Sequence, residues 1–171
     1  MEIERKYLIR ELPYTEEELQ AFPHYTITQG YLCTEPVLRI RQKGTDYIFT
    51  YKSGGLMSRE EIEAPLTKES FQHLLPKCDG SILQKERYLI AEEKVSSLGN
   101  PLTIELDLFA GNLSGLMLAE VEFASEEEAN AYTAPDWFYL DVTNTNTFHN
   151  SNISHSTAED ILSQARSLLN E

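Results

Sequence analysis

The sequence is poor in cysteine and contains no long run of apolar residues. Cys33 and Cys78 are its only cysteines, and their separation does not match the spacing of metal ligands. We expect both to be buried free thiols, with a disulfide between them as the alternative. No apolar stretch approaches the roughly 18 residues that a membrane-spanning helix needs. The chain also opens on charged residues and not on a signal peptide. These absences predict a cytoplasmic protein that does not enter a membrane.

Basic residues are nearly absent from the second half of the chain. Thirteen of the fourteen Lys and Arg residues lie at or before Lys94, and beyond it Arg166 stands against twelve Asp and Glu residues. The formal net charge of -14 argues against nucleic acid as a partner. A Walker-type phosphate loop is missing too, because Ser53-Gly54-Gly55 lacks the Lys and Ser or Thr that should follow. The uneven charge is compatible with an acidic solvated surface, or with a site that holds metal ions and a polyanion.

Charged residues recur at every second position in the segments that have the pattern of strands. Glu2, Glu4 and Lys6 fall on one face of the first segment, because successive side chains of a strand point to opposite faces. The same alternation returns in Arg39, Arg41 and Lys43; Lys52; Arg59, Glu61 and Glu63; Lys85 and Arg87; Glu105 and Asp107; Glu120 and Glu122. These faces are either the solvent side of a half-buried sheet or the inside of a wet, charged barrel. Charges on the opposite faces, such as Arg5 and Glu86, favour the barrel.

The pattern of the whole chain predicts a single domain, residues 1–171, with about eight strands. Strand patterns cover residues 1–9, 25–34, 37–43, 47–52, 58–64, 81–91, 102–109 and 117–123. Helical patterns lie within residues 11–22, 67–75, 125–132 and 157–169, while 135–142 is expected to be a connection and 143–156 a polar loop. An open eight-stranded sheet would leave two exposed edges. We therefore predict an α+β, mainly β fold, namely an eight-stranded antiparallel closed barrel with short flanking helices and a C-terminal helix.

The histidines and the large aromatic residues show no pattern of their own. His24, His73, His149 and His155 lack the spacing of metal ligands, and we interpret His149 and His155, near the possible mouth of the barrel, as ordinary surface residues. Trp137 and Phe138 are expected to anchor packing instead of stacking on a base. For Tyr31 both interpretations stay open.

The ordered set of charged motifs resembles the CYTH domains, also called triphosphate tunnel metalloenzymes. Glu2, Glu4 and Lys6 match the Glu-x-Glu-x-Lys signature of that family. The match continues through Arg39-Ile40-Arg41, Lys52, residues 59–63, residues 85–88, Glu105-Leu106-Asp107 and residues 119–123. The resemblance covers essentially the whole chain in the family's order. It implies an eight-stranded antiparallel tunnel that binds a triphosphate.

The resemblance also implies roles for the charged residues. The residues that would bind phosphate are Lys6, Arg39, Arg41, Lys52, Lys85 and Arg87. The residues that would hold Mg²⁺ or Mn²⁺ are Glu2, Glu4, Glu105, Asp107, Glu120 and Glu122. The residues that would take a direct part in catalysis are Glu4, Glu122, Lys85 and Arg87.

The activity that the resemblance implies is metal-dependent hydrolysis of a triphosphate. Inorganic tripolyphosphate is the expected substrate, with phosphate and pyrophosphate as products. Thiamine triphosphatase, nucleoside triphosphatase and adenylate cyclase are alternatives within the family, because they share the phosphate-binding residues. A non-catalytic polyphosphate-binding module would not need the full set of carboxylates, and a lipocalin-like barrel for apolar ligands would not need the charged strand faces. Association into a homodimer, common among relatives, is left open.

Overall fold

The computed structural model describes all 171 residues and contains ten strands and five α-helices. The strands are β1 (Glu2–Ile9), β2 (His24–Thr34), β3 (Val37–Lys43), β4 (Asp46–Lys52), β5 (Ser58–Arg59), β6 (Glu61–Pro65), β7 (Asp79–Ala91), β8 (Thr103–Phe109), β9 (Met117–Glu122) and β10 (Phe138–Asp141). The helices are α1 (Glu16–Ala21), α2 (Lys68–Leu74), α3 (Glu126–Ala131), α4 (Asn150–His155) and α5 (Ala158–Leu168). Three short 3₁₀ turns cover Leu75–Lys77, Gly111–Leu113 and Asn146–Phe148.

The strands form an antiparallel sheet that closes on itself. Neighbouring strands follow the order β10-β1-β9-β8-β7-β2-β3-β4-β6, and β5 returns to pair with β1. Glu60 alone separates β5 from β6, so the predicted strand at 58–64 is one segment whose two parts pair with different neighbours. The ring therefore consists of eight strand segments, as predicted, and β10 is an addition outside it. The seam of the ring is short, because β5 meets β1 only through the pairs Glu2 with Arg59 and Ile3 with Ser58.

The predicted helices begin where polar caps mark them. Thr15 accepts a hydrogen bond from the backbone N–H of Glu18, whose carboxylate accepts one from the backbone of Thr15 in return, which completes a capping box at α1. Thr67, Ser125 and Thr157 cap α2, α3 and α5 in the same way, each accepting from a backbone N–H three residues on. None of the five helices has both the length and the apolar character needed to cross a membrane.

Strand β10 and helix α4 form where the sequence predicted a connection and a polar loop. The four residues of β10 pair with the end of β1, at Tyr7, Leu8 and Ile9. Helix α4 is mostly Asn and Ser, which are weak helix formers. It is held by tertiary contact, because Ile153 is buried against the end of the barrel. Both predictions were wrong since distant partners, and not local preference, decide these two segments.

One hydrophobic core lies outside the ring, between the strands and the helices that cover them. Outward-facing residues such as Tyr7 and Val121 pack there with Leu19 of α1 and Ala129 of α3. Phe138 is buried in the same core with Trp137 against it, which confirms their predicted packing role. Cys33 and Cys78 are unpaired as predicted, although both are half-buried and not fully buried.

The inner face of the barrel changes from apolar to charged along its length. One end is filled by an apolar layer that consists of Leu8, Leu83, Phe109, Leu118, Phe148 and Ile153. One step further along the inner face, β1 presents Lys6 and β9 presents Glu120, which face each other in register. A further step brings Glu4 opposite Glu122. The charged interior thus rests directly on an apolar floor.

Candidate active site

The charged part of the barrel interior encloses a cavity of about 510 Å³. Three of its twenty lining residues are hydrophobic, and fourteen are Glu, Lys or Arg. The cations are Lys6, Arg39, Arg41, Lys43, Lys52, Arg59 and Arg87. The carboxylates are Glu2, Glu4, Glu61, Glu63, Glu105, Glu120 and Glu122. Seven formal positive charges therefore meet seven negative ones. Of the two interpretations that the alternation allowed, the charged interior is the one observed.

The two kinds of charge come largely from opposite sides of the ring, with Lys6 on β1 and Glu61 and Glu63 on β6 as the exceptions. Strand β3 contributes Arg39, Arg41 and Lys43, whereas β9 contributes Glu120 and Glu122. Counted around the ring, β3 and β9 are separated by four steps in either direction, which places them across the cavity from each other. The cavity consequently has a cationic wall and an acidic wall.

The side-chain hydrogen bonds of Arg39 and Arg41 go to neutral side chains, and the one carboxylate near either guanidinium is that of exposed Glu63, 4.0 Å from Nη2 of Arg39. The Nε of Arg41 donates to Oε1 of Gln29 at 2.9 Å, and Nη2 of Arg39 donates to Oγ1 of Thr50 at 3.1 Å. The Nε of Arg39 is buried and has no partner in the protein. Burial, together with the nearby Arg39 and Arg87, lowers the pKa of Arg41 to about 10. Under-compensated guanidinium groups of this kind are suited to bind phosphate oxygens.

Arg87, by contrast, is neutralised by acids. Its Nε and Nη2 each lie 2.7 Å from an oxygen of Asp107, and its Nη1 lies 2.5 Å from Oε2 of Glu105. Lys85 donates to the same Asp107 carboxylate at 2.6 Å. Although burial opposes it, Arg87 and Lys85 hold the pKa of Asp107 below its usual value. Burial lowers the pKa of Lys85 to about 7 even beside this acid.

Asp107 and Lys85 lie beneath the wall of the cavity and do not line it. Asp107 is 0% exposed and Lys85 is 1% exposed, at the boundary between the charged interior and the apolar floor. Both oxygens of Asp107 are already occupied by Arg87 and Lys85. This geometry disagrees with a metal-ligand role for Asp107 and with direct phosphate binding by Lys85. The other predicted site residues, from Glu2 to Glu122, line one common cavity.

Three carboxylates of the acidic wall are crowded together without full compensation. Glu4 is buried without an ion-pair partner, and burial followed by the charge of Glu120 raises its pKa to about 7. Glu122 lies opposite Glu4, and burial with the neighbouring Glu2 and Glu105 raises its pKa too. Glu2 bonds Lys52 at 2.7 Å through one oxygen, while its other oxygen, Oε2, is buried without a hydrogen bond. Burial raises the pKa of Glu2 as well.

The donor set of the acidic wall fits a hard divalent cation. Carboxylate oxygens are the preferred ligands of Mg²⁺ and Mn²⁺, and Glu2 and Glu4 have oxygens that no protein donor occupies. No three Asp, Glu, His or Cys side chains converge closely enough to form a complete metal site. This agrees with the behaviour of Mg²⁺, which usually takes one or two carboxylates and fills its shell with water and substrate phosphate. Glu120 is less available, because it pairs with Lys6 at 3.1 Å.

His149 is buried and lines the cavity, so its interpretation as a surface residue was wrong. Its Nε2 donates to the carbonyl oxygen of Thr143 at 3.2 Å. The surrounding segment is tied to β1, because the backbone N–H of Lys6 donates to Oγ1 of Thr143 and its Nζ to the carbonyl of Phe148. Burial and the positive charge of Lys6 lower the pKa of His149 to about 4. His155 is exposed, as predicted, and His24 and His73 are exposed as well.

Other lining residues had no predicted role. Arg59 reaches the cavity from β5 and lies 3.5 Å from Oε2 of Glu2, and Lys43 lies at the far end of β3. Their place in the alternation was the available signal. Asn150 and Ser151 had no signal in the sequence, since helix α4 brings them to the cavity. Tyr31 is the sole Phe, Tyr or Trp residue in the lining, and its hydroxyl accepts a hydrogen bond from Gln29.

The sequence and the fold are similar to those of known proteins. A family model described as CYTH domain matches residues 1–130. The inorganic triphosphatase of Nitrosomonas europaea is 41% identical over 158 residues, which span 91% of this chain and 97% of that protein.

Solved structures agree with the sequence match. The crystal structure of an inorganic triphosphatase superposes with a TM-score of 0.62 at 37% identity, over 92% of this chain and 96% of that one. A Hippeastrum protein, described as a proposed adenylyl cyclase that reveals a dominant triphosphatase activity, shares the fold at 14% identity, with a TM-score of 0.54, over 88% of this chain and 99% of that one. The charged barrel and these similarities lead to one conclusion, that this chain belongs to the CYTH domain family.

Proposed function

We propose that this protein hydrolyses inorganic tripolyphosphate to phosphate and pyrophosphate inside the barrel, with Mg²⁺ or Mn²⁺ as the cofactor. The observation that carries the proposal is the cavity with a cationic wall facing an acidic wall. A polyanion is attracted to the first wall and a divalent cation to the second. The 41% identity to an inorganic triphosphatase supports the same activity.

The lining of the cavity favours an inorganic substrate over an organic one. A thiamine or nucleoside group needs an apolar or aromatic surface to rest on, and Tyr31 is the one large aromatic residue of the lining. A neighbouring cavity of about 360 Å³ shares Arg59 and His149 with the first and is lined mainly by polar residues, with no Phe, Tyr or Trp. Thiamine triphosphatase, nucleoside triphosphatase and adenylate cyclase activities therefore have less support.

The cationic residues that reach the cavity are proposed to bind the phosphate chain. These residues are Lys6, Arg39, Arg41, Lys52 and Arg87, to which Arg59 and Lys43 are added. Catalysis of phosphoryl transfer depends mostly on positioning and on stabilising the charge of the phosphoryl oxygens, and guanidinium groups do both through paired N–H donors. Lys85, which does not line the cavity, is reassigned from phosphate binding and from a direct part in catalysis to holding Asp107, which in turn fixes the guanidinium plane of Arg87.

The acidic residues with carboxylate oxygens free of hydrogen bonds are proposed to hold the metal. Glu4 and Glu122 are the first candidates, because neither has an ion-pair partner and burial raises the pKa of both. Glu2 would add its Oε2, which has no hydrogen bond although Nε of Arg59 lies 3.5 Å away and Lys52 binds the other oxygen. Glu105 and Glu120 would contribute only if Arg87 or Lys6 released them. When bound, the ion would neutralise phosphate oxygens and lower the pKa of an attacking water. Glu4 and Glu122 keep their catalytic assignment on this basis, and Asp107 is no longer included as a ligand.

We also propose that residues 1–171 act as one domain in the cytoplasm. Helices α4 and α5 lie beyond the matched CYTH segment, yet Ile153 and Ile161 are buried in the same cluster as Leu8 and Leu118 of the barrel. Two unpaired cysteines are in keeping with a reducing compartment.

The experiment that tests the function is a phosphate-release assay. Tripolyphosphate, ATP and thiamine triphosphate are each offered with Mg²⁺, with Mn²⁺ and with a chelator. We expect metal-dependent release, fastest with tripolyphosphate. Glu4→Gln should reduce it by about a hundredfold or more, the size expected when a metal-binding group is lost, while its melting temperature stays near that of the wild type. Glu69→Gln, on the exposed face of α2, is the matched control. Full turnover by folded Glu4→Gln, or no release from any substrate, would contradict the proposal.

A further inference from the structure

The arginines of the cationic wall are oriented by uncharged side chains that lie directly across the sheet. Gln29 of β2 is the register partner of Arg41, and Thr50 of β4 is the register partner of Arg39. Gln29 and Thr50 are both 0% exposed. Neither lines the cavity, so neither can contact a ligand there directly.

The amide of Gln29 has a fixed orientation. A guanidinium group can only donate hydrogen bonds, so the atom that faces Nε of Arg41 at 2.9 Å must be the amide oxygen. The amide nitrogen then donates to the hydroxyl oxygen of Tyr31 at 3.1 Å. The hydroxyl hydrogen of Tyr31 has no acceptor in the protein and is left to point to a ligand in the cavity that Tyr31 lines. One side chain thus orients an arginine and a tyrosine together.

Arg87 shows the effect of carboxylates that orient a guanidinium group. Its guanidinium is held by the carboxylates of Asp107 and Glu105, which orient it and cancel its charge in the same contact. An amide or a hydroxyl can orient a guanidinium without that cancellation. The lowered pKa of Arg41 is consistent with a buried positive charge that has no acid in contact with it.

We propose that Gln29 and Thr50 are positioning residues that orient Arg41 and Arg39 while leaving their positive charge available to an anionic substrate. The inference rests on the proposed function, because it takes tripolyphosphate as the anion. According to this inference, Gln29 and Thr50 must be uncharged as well as able to accept a hydrogen bond from an arginine.

Gln29→Glu keeps the orientation of Arg41 but changes its charge environment, and Tyr31→Phe is measured beside it because the carboxylate also accepts a hydrogen bond from the Tyr31 hydroxyl. The substituted carboxylate has the shape of the amide and still accepts from Nε of Arg41, but it places a negative charge in contact with the guanidinium. We expect the dissociation constant of tripolyphosphate, measured by calorimetry without metal, to rise by about tenfold or more, with a melting temperature equal to or above that of the wild type. Gln42→Glu adds the same charge on the half-buried outer side of β3 and should change the dissociation constant by less than about threefold.

The second arm uses Thr50. Thr50→Val removes the hydroxyl at nearly constant volume, and Thr50→Ser restores it. We expect weaker tripolyphosphate binding in the first variant and recovery in the second. If Gln29→Glu does not fold, the two Thr50 variants test the positioning role without it.

The outcomes distinguish this inference from the proposed function. A wild-type protein that fails to bind tripolyphosphate would contradict the function itself. A wild-type protein that binds it, with folded Gln29→Glu and Thr50→Val variants that bind equally well, would overturn the positioning role.

Discussion

Two arginines that face the same cavity should differ in how much stability the protein loses when each is replaced. Arg87 compensates Asp107, a carboxylate that is 0% exposed, whereas Arg41 contacts the neutral amide of Gln29. Removing Arg87 would leave buried Asp107 with Lys85 as its single cationic partner and would leave Glu105 with none, while removing Arg41 would leave no carboxylate without a partner. Stability and substrate binding should therefore separate between the two positions.

We predict that Arg87→Ala lowers the free energy of unfolding by about 3–5 kcal/mol and that Arg41→Ala changes it by less than about 1.5 kcal/mol. Arg41→Ala should instead raise KM for tripolyphosphate as well as lowering kcat, because the guanidinium binds phosphate in both the ground state and the transition state. Urea denaturation and steady-state kinetics on the same two proteins provide the measurement. Equal losses of stability would show that the ion pair of Arg87 with Asp107 contributes no more to stability than the contact of Arg41 with Gln29.

His149 should make stability depend on pH on the acid side. Its pKa is about 4 in the folded chain, against about 6.5 when unfolded. As pH falls through this interval the unfolded chain gains a proton that the folded chain does not, so the free energy of unfolding decreases. The charges that act on the ring are those of Lys6, Arg59 and Glu120.

We predict that His149→Gln, which keeps a donor for the Thr143 carbonyl, loses about 1–2 kcal/mol less stability than the wild type between pH 6.5 and pH 4. Chemical denaturation at several pH values measures the difference between the two curves, which removes the contribution of the carboxylates common to both. Parallel curves would mean that His149 is protonated as readily in the folded chain as in water.

At the scale of elements, helix α4 depends on a glycine in a neighbouring strand. Gly80 opens β7 with φ of +69°, and a Cβ placed there would lie 2.4 Å from the carbonyl oxygen of Ser154. The backbone of α4 can approach β7 only because that atom is missing. Gly99 also has a positive φ, +83°, but a Cβ there would meet no atom within 4 Å.

We predict that Gly80→Ala destabilises the protein by about 2–5 kcal/mol, the sum of left-handed backbone strain and overpacking. The matched change Gly99→Ala should cost only the backbone term of about 1–2 kcal/mol. Hydrogen exchange should report faster opening of residues 150–155 in the first variant alone. Equal stability of the two variants would show that α4 moves away from β7 without a penalty.

The alternation of charges predicted which strands form the barrel and which side chains face inward, because the period of two is a property of the strand backbone. It did not predict how deep each side chain lies. Lys85 and Arg87 have the same parity, yet only Arg87 reaches the cavity, since Lys85 is one layer closer to the apolar floor. His149 was missed for another reason, as its position depends on hydrogen bonds between the segment around Thr143 and Lys6 on the first strand.

At the scale of the whole molecule, the cationic and carboxylate side chains of the cavity are equal in number but are largely separated in space. Its seven cations and seven carboxylates lie largely on different walls, so each wall repels itself. A divalent cation relieves the acidic wall, and a triphosphate relieves the cationic wall. Each ligand also attracts the other, which makes their binding cooperative.

We predict that Mg²⁺ and a slowly hydrolysed tripolyphosphate analogue together raise the melting temperature more than the sum of the two separate effects. Ligand at a hundredfold excess over Kd adds about 2.7 kcal/mol to the stability of the folded state. The double variant Glu2→Gln, Glu4→Gln should lose the cooperative part of the shift, because its acidic wall no longer attracts the cation. A thermal-shift series with the same excess stabilisation in wild type and double variant would contradict a role for β1 in coupling the two ligands.

Strand β1 pairs only with strands that are distant from it in sequence, which has a consequence for folding during synthesis. Strand β1 leaves the ribosome before the other strands of the sheet, but its partners are residues 58–59, 118–122 and 138–141. The longest pairing it makes, with β9, cannot form until more than two thirds of the chain has been synthesised. Pairings this distant in sequence are slow to form, so the opening strand must wait in water while the rest of the sheet assembles. The charged Glu and Lys side chains of β1 line the cavity in the folded protein. While β1 is still unpaired, the same side chains keep it hydrated and prevent it from pairing with other nascent chains.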